Sequence, residues 1–288
     1  MDRADNEQAL AACFAALWTE IRTSERPMDT LDRVRDALDR RSETLAQQHG
    51  GFAESSFSIV AVTYETETTQ ILEARHRDID ASYAIKTMPQ SRRDDAHLVQ
   101  RLRREAEIGM ALRHPSLQET SALLRMADGR PGLLQPWMPM TLAARLQTQT
   151  PAEEEIAALL ACLLGALGTV HANGFVHGDV TPANVFLHEG KLDGARLGDF
   201  GITLKIGERP ADLGLRHMGS PAYAAPEQLE GAAADPRHDI HAIGRLAERM
   251  LHACGSADES LRRFVEACTF KDASKRPSST DEAARLLP

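Results

Sequence analysis

The order of strand-forming and helix-forming segments constrains this chain more than any other feature of its sequence. β-Branched and aromatic side chains predict three strands, at residues 57–62, 70–74 and 82–88. A helix follows over residues 95–112 and ends before Pro115. Later residues are mainly helical, interrupted by short strand-like pieces at residues 175–176, 184–187 and 195–197. Strands followed by helices predict an α+β fold, in which a small antiparallel sheet lobe with one helix joins a larger helical lobe.

The first 50 residues form a separate region that reads as two amphipathic helices. Their apolar side chains recur at helical spacing in two stripes, namely Leu10, Phe14, Leu17 and Ile21, then Met28, Leu31, Val34 and Leu38. Gly50 and Gly51 then break the pattern. We expect these helices to pack together or against the following domain, and a partner-docking module is the alternative.

Charge and cysteine usage exclude several classes of function. The net charge of -9, with no basic stripe beyond residues 101–104, argues against a nucleic-acid partner, and that short stretch is expected to form the solvated face of a helix. The four cysteines are scattered without metal-ligand spacing, and the N-terminus lacks a signal-peptide pattern, so we expect a cytoplasmic protein. The longest apolar run, residues 156–170, covers 15 residues, which is short for the roughly 20 that cross a membrane. We interpret it as a buried core helix.

Residues 177–184, together with 199–201, carry the most informative chemistry in the chain. Asp179 is followed five positions later by Asn184, and Asp199-Phe200-Gly201 begins fifteen positions after that. Phosphoryl transfer needs Mg²⁺ held by hard oxygen ligands, which Asn184 and Asp199 can supply. It also needs a carboxylate to orient and deprotonate the attacking hydroxyl, which Asp179 can supply. Taken alone, Asp179 and Asn184 could equally mark a turn.

The ensemble resembles the catalytic loop and metal-binding motif of eukaryotic-type serine/threonine protein kinases of the sort also common in bacteria. Tyr83-Ala84-Ile85-Lys86 is similar to the kinase strand whose lysine holds the α- and β-phosphates of ATP. Glu105 interrupts an apolar helix stripe, and a buried carboxylate is expensive unless it is paired. Lys86 is the partner that the resemblance implies, and a glutamate that reaches solvent at the edge of the stripe is the alternative.

The downstream segment 219–227 is similar to the kinase segment that ends in Ala-Pro-Glu and positions a protein substrate. The resemblance implies that Arg276 pairs with Glu227, and that Asp239 and Gly244 belong to the helix that follows. It covers about residues 57–288 and implies the two-lobed protein kinase fold. The implied organisation is a helical extension over residues 1–50, an N-terminal lobe over 51–138 and a C-terminal lobe over 139–288.

The same resemblance implies an ATP site between the lobes. It places the hinge at Gln135, Pro136 and Met138, where the carbonyl of Pro136 and the amide of Met138 would meet the adenine edge. The apolar positions expected to enclose the ring are Ile71, Ala84 and Phe186. Plain core residues would look the same in the sequence.

The phosphate-covering loop departs most from the family. Spacing from Lys86 puts Tyr64, Thr66 and Thr69 where kinases have three glycines, and β-branched side chains resist the backbone angles that glycine allows there. A second register over residues 52–60 has smaller side chains but leaves too long a gap before Lys86. We therefore expect weak or unusual ATP binding.

Two further departures concern the catalytic loop. Gly178 replaces the arginine that receives a phosphorylated activation loop in many kinases, and between Gly201 and Tyr223 the hydroxyl-bearing residues are Thr203 and Ser220. We therefore predict activity that does not require activation-loop phosphorylation. Thr181 occupies the catalytic position of a lysine near the γ-phosphate, so we expect slow turnover.

Three functions fit these observations. The first is a serine/threonine kinase that transfers the γ-phosphate of Mg-ATP to a protein substrate. The second is a pseudokinase scaffold with weak or no turnover, indicated by the changed loop. The third is a small-molecule kinase, because aminoglycoside and choline phosphotransferases often carry His-Gly-Asp, as residues 177–179 do.

Overall fold

The computed structural model describes residues 56–214 and 218–288. The two helices predicted before residue 50 lie outside the described residues. The N-terminal lobe is a five-stranded antiparallel sheet with strand order β1-β2-β3-β5-β4. Its strands are β1 (Phe57–Glu65), β2 (Gln70–His76), β3 (Ser82–Thr87), β4 (Ala122–Arg125) and β5 (Pro131–Pro136).

The three predicted strands are confirmed, whereas β4 and β5 were not predicted, and β4 has no strand signal at all. Its four residues, Ala-Leu-Leu-Arg, include no β-branched or aromatic side chain, so the strand signal is absent. Pairing with β5 from Ala122 to Arg125 gives this segment its extended conformation.

The α-helix of this lobe within the described residues, α1 (Ala96–Ala111), agrees with the predicted span within a residue at each end. The Asp95 side chain caps it by accepting hydrogen bonds from the amides of His97 and Leu98. Its apolar face packs on the sheet in a cluster of Met88, Leu98, Leu102, Ala106 and Leu133. Glu105 lies buried on this same face.

The C-terminal lobe is helical. It contains α2 (Leu142–Thr148), α3 (Glu153–Ala172), α4 (Pro226–Leu229), α5 (Pro236–Cys254), α6 (Glu259–Cys268) and α7 (Thr280–Ala284). Helix α3 is long and apolar enough to cross a membrane by length and composition. However, its leucines at 159, 160, 163 and 167 are fully buried in the core of the lobe. The structure therefore agrees with the predicted core helix.

Short strands at the base of the cleft position the chemically informative residues. β6 (Met140–Thr141), β8 (Val185–Leu187) and β9 (Arg196–Leu197) form one small sheet, and β7 (Phe175–Val176) pairs with β10 (Leu204–Lys205) in another. Residues 177–184 join β7 to β8, and residues 198–203 join β9 to β10. The two pairings therefore bring Asp179 and Asp199 to the same end of the lobe.

Candidate active site

A three-residue ion cluster joins the two lobes, with Lys86 and Glu105 buried and the Asp199 side chain 41% exposed. Lys86 Nζ lies 2.7 Å from Glu105 Oε1 and 2.7 Å from Asp199 Oδ1. Glu105 is only 3% exposed, so this is the paired carboxylate expected from the interrupted helix stripe. A strand, a helix and the loop after β9 each contribute one charge, which ties the sheet lobe to the helical lobe.

The opposite charges of this cluster stabilise one another in their ionised forms. Burial alone would lower the pKa of Lys86, but the two carboxylates outweigh burial and raise that pKa above its ordinary value. Burial pushes the pKa of Asp199 upward, yet the charge and hydrogen bond of Lys86 and the amide of Gly201 leave it below its usual range. Lys86 and Asp199 are therefore both charged at neutral pH. For Glu105, burial raises the pKa and the ammonium group opposes that rise.

Asp199 has an uncommon backbone conformation, with a φ of 66°. Few residues other than glycine occupy this region, and such strain gathers at functional sites. The conformation is stabilised by Asp199 Oδ1, which accepts hydrogen bonds from Lys86 Nζ and from the amide of Gly201 at 3.1 Å.

Asp179 is positioned by hydrogen bonds to both oxygens of its carboxylate. Oδ1 accepts from the amide and hydroxyl of Ser220 at 3.0 and 2.9 Å, and Oδ2 accepts from Asn184 Nδ2 at 2.9 Å. Asp179 lines one cavity with Thr69, Lys86, Glu105 and Asp199. The contact with Ser220 was not predicted, because nothing in the sequence indicates which carboxylate that hydroxyl meets.

Asn184 and Asp199 have the donor atoms that Mg²⁺ prefers. Asn184 directs its amide nitrogen to Asp179, which leaves its side-chain oxygen for a cation. Asp199 uses Oδ1 for Lys86 and Gly201, which leaves Oδ2. Two hard oxygens fit a magnesium ion that completes its shell with water and phosphate.

The loop that carries Asp179 is held by a buried carboxylate on α5. Asp239 Oδ2 accepts from the amide of His177 at 2.9 Å, and Oδ1 accepts from the amide of Gly178 at 2.8 Å. His171 Nε2 lies 2.8 Å from the same carboxylate. Burial alone would raise the pKa of Asp239, but His171, His177 and these amides lower it overall, so the carboxylate is ionised. The family resemblance had indicated Asp239, but not its contact with His171.

Neither Gly178 nor Thr181 supplies a basic side chain to the catalytic loop. Gly178 has a φ of +81°, and the side chain of Met218 lies beside its α-carbon. Thr181 is buried, and its carbonyl accepts a hydrogen bond from the Asn184 amide at 3.0 Å. Threonine supplies no charge, so the cation found at this catalytic position in the family is missing.

The β1–β2 turn covers the end of the cavity where phosphates would lie. Thr66 Oγ1 accepts hydrogen bonds from the amides of Thr69 and Thr68 at 3.0 and 3.3 Å, and none of residues 64–69 has a positive φ. Thr68 and Thr69 line the same cavity as Lys86. The bounds of β1 and β2 place the hairpin turn where the register counted back from Lys86 predicted it. The Thr66 side chain closes this turn, which glycines form in the family.

Gln135 and Pro136, which were predicted to belong to the hinge, are the last two residues of β5. Ala84 pairs with Gln135 across β3 and β5, and Ile71 pairs with Lys86 across β2 and β3. Phe186 on β8 and Ile71 are both partly exposed, as side chains at an open cleft would be. The carbonyl of Pro136, expected to be free for a ligand, accepts a hydrogen bond from Gln118 Nε2 at 2.8 Å. Met138 follows in the loop between β5 and β6.

The basic stretch 101–104 is only partly the solvated face that the sequence predicted. Arg103 is exposed, but Arg104 reaches across to Glu208, with Nη2 2.5 Å from Oε2 and Nη1 3.2 Å from Oε1. Glu208 belongs to residues 199–227, which we call the activation segment. Thr203 in this segment is 1% exposed, and its hydroxyl donates to the carbonyl of His177 at 3.2 Å.

The activation segment ends at a second ion pair. Arg276 Nη1 and Nη2 lie 2.6 and 3.0 Å from the two oxygens of Glu227, which is the pairing expected from the sequence. The Arg276 side chain is fully buried and also donates to the carbonyls of Phe270 and Lys271. Bidentate geometry fixes both orientation and distance, so it holds the segment on the helical lobe.

The fold is a sheet lobe on a helical lobe, and in the site a lysine–glutamate pair faces two aspartates and an asparagine. Together they define a phosphotransferase of the two-lobed kind. Comparison with known proteins agrees, since residues 66–255 match the family model described as protein kinase domain. The chain belongs to the protein kinase family, and its relatives place it with the bacterial serine/threonine kinases of eukaryotic type.

Three relatives illustrate this placement. The chain is 31% identical to the DNA damage-responsive serine/threonine-protein kinase RqkA of Deinococcus radiodurans, over 80% of this chain and 36% of that protein. It is 30% identical to the serine/threonine-protein kinase pkn2 of Myxococcus xanthus, over 71% of this chain and 29% of that protein. It is also 30% identical to the serine/threonine-protein kinase PkaA of Streptomyces coelicolor, over 70% of this chain and 42% of that protein. The chain thus spans less than half the length of the curated relatives that it matches.

Proposed function

We propose that this protein is a serine/threonine kinase that transfers the γ-phosphate of Mg-ATP to a protein hydroxyl, without prior phosphorylation of its activation segment. The single observation that carries the proposal is the shared cavity of Lys86, Glu105, Asp179 and Asp199. Lys86 would hold the α- and β-phosphates, and Glu105 fixes its ammonium group at 2.7 Å. Serine/threonine specificity is supported by the relatives.

Asp179 would orient the attacking hydroxyl and accept its proton. Ser220 and Asn184 fix the plane of its carboxylate, so the proton-accepting oxygen is positioned before the substrate arrives. Bound Mg²⁺, held by Asn184 and Asp199, would neutralise charge on the phosphates. The uncharged Thr181 leaves the γ-phosphate without a cation that the family uses, so we expect a low rate.

Independence from activation-segment phosphorylation is supported by two contacts. Thr203 is buried and hydrogen-bonded, so a kinase could not reach its hydroxyl without local unfolding. Glu208 already supplies a negative charge that binds Arg104 on α1, as an added phosphate would. The segment is therefore attached to the helix that carries Glu105 without modification.

Labelled ATP tests the activity. The wild-type protein should yield phosphoserine or phosphothreonine, in itself or in a partner, and Asp179→Asn should remove at least nine-tenths of the label while keeping its thermal unfolding profile. Equal labelling by both proteins would refute the assignment. Phosphatase-treated enzyme should keep its rate, and Thr203 should be unmodified by mass spectrometry. A rate that falls with dephosphorylation would refute only the independence.

A pseudokinase scaffold is the second candidate, favoured by the threonine-closed turn at residues 66–69. It predicts no labelling and little stabilisation by millimolar Mg-ATP, whereas the kinase should gain several degrees in Tm. The small-molecule kinase is a third candidate, which a screen of alcohol acceptors tests directly. The Glu227–Arg276 pair of the protein-substrate segment favours the protein kinase.

We further propose that the protein acts in the cytoplasm on a protein partner of unknown identity. Cys162, Cys254 and Cys268 form no disulfide in the described part of the chain, which is compatible with a reducing compartment. Residues 1–50 would contact either this domain or a partner, and we propose no nucleic-acid or membrane ligand.

A further inference from the structure

Arg101, on α1, brings a second cation to the cavity that contains Lys86 and Asp179. Its side chain lines that cavity, and the residue is partly exposed, so a ligand in the cavity can reach it. With residues 56–214 and 218–288 the Arg101 side chain makes no hydrogen bond and no salt bridge. An arginine carries five N–H donors, and here they remain available for an anion.

The helix directs Arg101 and Glu105 to the same side. Residues four positions apart lie one turn from each other on a helix face, and both of these line the cavity, whereas Arg103 does not. Burial raises the pKa of Glu105, and the positive charges of Lys86 and Arg101 oppose that rise. The guanidinium group of Arg101 is therefore near the ion cluster, and not only the aliphatic part of its side chain.

The other cation of the cavity is already engaged by carboxylates. Lys86 Nζ donates to Glu105 and to Asp199, so one of its three donors remains for a ligand. Thr181, where the family has a lysine, supplies no charge. Among the described residues that line this cavity, Arg101 is thus the cation whose donors are all free.

We propose that Arg101 binds the γ-phosphate of ATP and supplies the positive charge that the Thr181 position lacks. Guanidinium and phosphate form strong charge-assisted hydrogen bonds, often two in parallel. During transfer, the bond from the γ-phosphorus to the β-phosphate oxygen breaks and a bond to the substrate hydroxyl oxygen forms, while the hydroxyl proton passes to Asp179. Arg101 stays protonated throughout and stabilises charge on the transferred group. The inference rests on the proposed function, because it needs a nucleotide in this cavity.

A comparison of ADP with adenylyl imidodiphosphate, an ATP analogue that is not hydrolysed, tests the inference without turnover. The two ligands differ by the γ-phosphoryl group, so the ratio of their affinities reports contacts to that group. With Mg²⁺, Arg101→Gln should lower the preference for the analogue about tenfold and leave the affinity for ADP nearly unchanged. Arg101→Lys, which keeps the charge but not the planar fork, should give an intermediate ratio. Neither change should alter the Tm of the free protein, since Arg101 has no partner within the described residues.

The matched control is Arg103→Gln, which removes the same charge from the same helix at an exposed side chain outside this cavity. It should keep the wild-type ratio. The inference is overturned if Arg101→Gln keeps that ratio, or if both glutamine variants lower it alike, because the effect would then come from net charge. Absence of binding of both nucleotides by the wild-type protein would overturn the proposed function as well, whereas intact binding with an unchanged ratio would overturn the inference alone.

Discussion

Arg104 on α1 and Glu208 in the activation segment form a bidentate ion pair across 104 positions of sequence. Glu208 Oε2 also accepts the amide of Lys205 at 2.8 Å, so the carboxylate closes its own turn as well. Arg104 directly precedes Glu105, the partner of Lys86. The position of the buried glutamate is therefore coupled to the conformation of the activation segment.

Reversing the charges of this pair should reveal the coupling. Arg104→Glu and Glu208→Arg should each lower the phosphorylation rate about tenfold, because α1 loses its link to the segment. Independent effects would give about a hundredfold loss in the double variant, whereas a coupling energy of about 1 kcal/mol, as for partly shielded pairs, should limit the loss to about twentyfold. Arg103→Glu is the control, since that side chain is exposed. Strictly additive losses in the double variant would contradict the coupling.

Gly219 should tolerate no side chain. Its φ of +82° costs an alanine about 1–2 kcal/mol, and the new methyl group would lie 2.8 Å from the Gly178 carbonyl oxygen, which belongs to the catalytic loop. Gly219→Ala should therefore unfold at lower urea concentration and lose activity, since the adjacent Ser220 holds Asp179.

Gly174→Ala is the matched control for this change. Gly174 has a φ of +80° and no atom within 4 Å of the added carbon, so only the backbone strain applies. We expect Gly219→Ala to cost at least about 1 kcal/mol more than Gly174→Ala. Equal losses of stability would mean that the contact with Gly178 has no effect.

The Glu227–Arg276 pair should contribute much more stability than a surface pair. Glu227→Ala leaves a fully buried guanidinium without its anion, which we expect to cost about 3–5 kcal/mol in free energy of unfolding. Arg276→Lys should also fail to preserve stability, because an ammonium group cannot make the bidentate contact.

The exposed pair Glu259–Arg263 provides the comparison, with side chains 78% and 70% exposed. Glu259→Ala should leave the urea midpoint unchanged. Comparable shifts for Glu227→Ala and Glu259→Ala would rule out the structural role of the buried pair.

Stability should fall as the solution becomes mildly acidic. Burial lowers the pKa of His238 and of His241 below the ordinary value, although Glu227 and other nearby acceptors oppose that change. When the pH falls below about 6.5, these histidines gain protons in the unfolded chain before they do so in the folded protein. The free energy of unfolding should therefore be greatest above about pH 7 and decrease between about pH 6.5 and the lowered folded-state pKa values.

Urea unfolding at several pH values between about 5.5 and 7.5 measures this slope. The double variant His238→Gln, His241→Gln should show a flatter pH dependence, whatever its absolute stability. His188→Gln, which changes an exposed histidine, should keep the wild-type slope. An unchanged slope in the double variant would assign the pH dependence to other groups.

Much of the fold and part of the site followed from local sequence patterns. β-Branched and aromatic side chains identified β1, β2 and β3, and helical spacing identified α1, because that spacing reflects which face of the helix is buried. Glu105 stood out for the same reason, as a charge on an apolar face. Asp179, Asn184 and Asp199 were identified by residue type and spacing within one short stretch.

Apart from the Lys86–Glu105 and Glu227–Arg276 pairs, which the family resemblance implied, the tertiary structure alone decided which partners these groups meet. A burial pattern shows that a side chain faces inward, but it carries no information about the distant segment that arrives opposite it. Ser220 on Asp179, Glu208 on Arg104 and Gln118 on the Pro136 carbonyl are contacts of this kind. Strand β4 belongs with them, since its extended form comes from pairing with β5. The sequence by itself thus determined the burial and chemical type of each group, and the path of the whole chain determined its contacts.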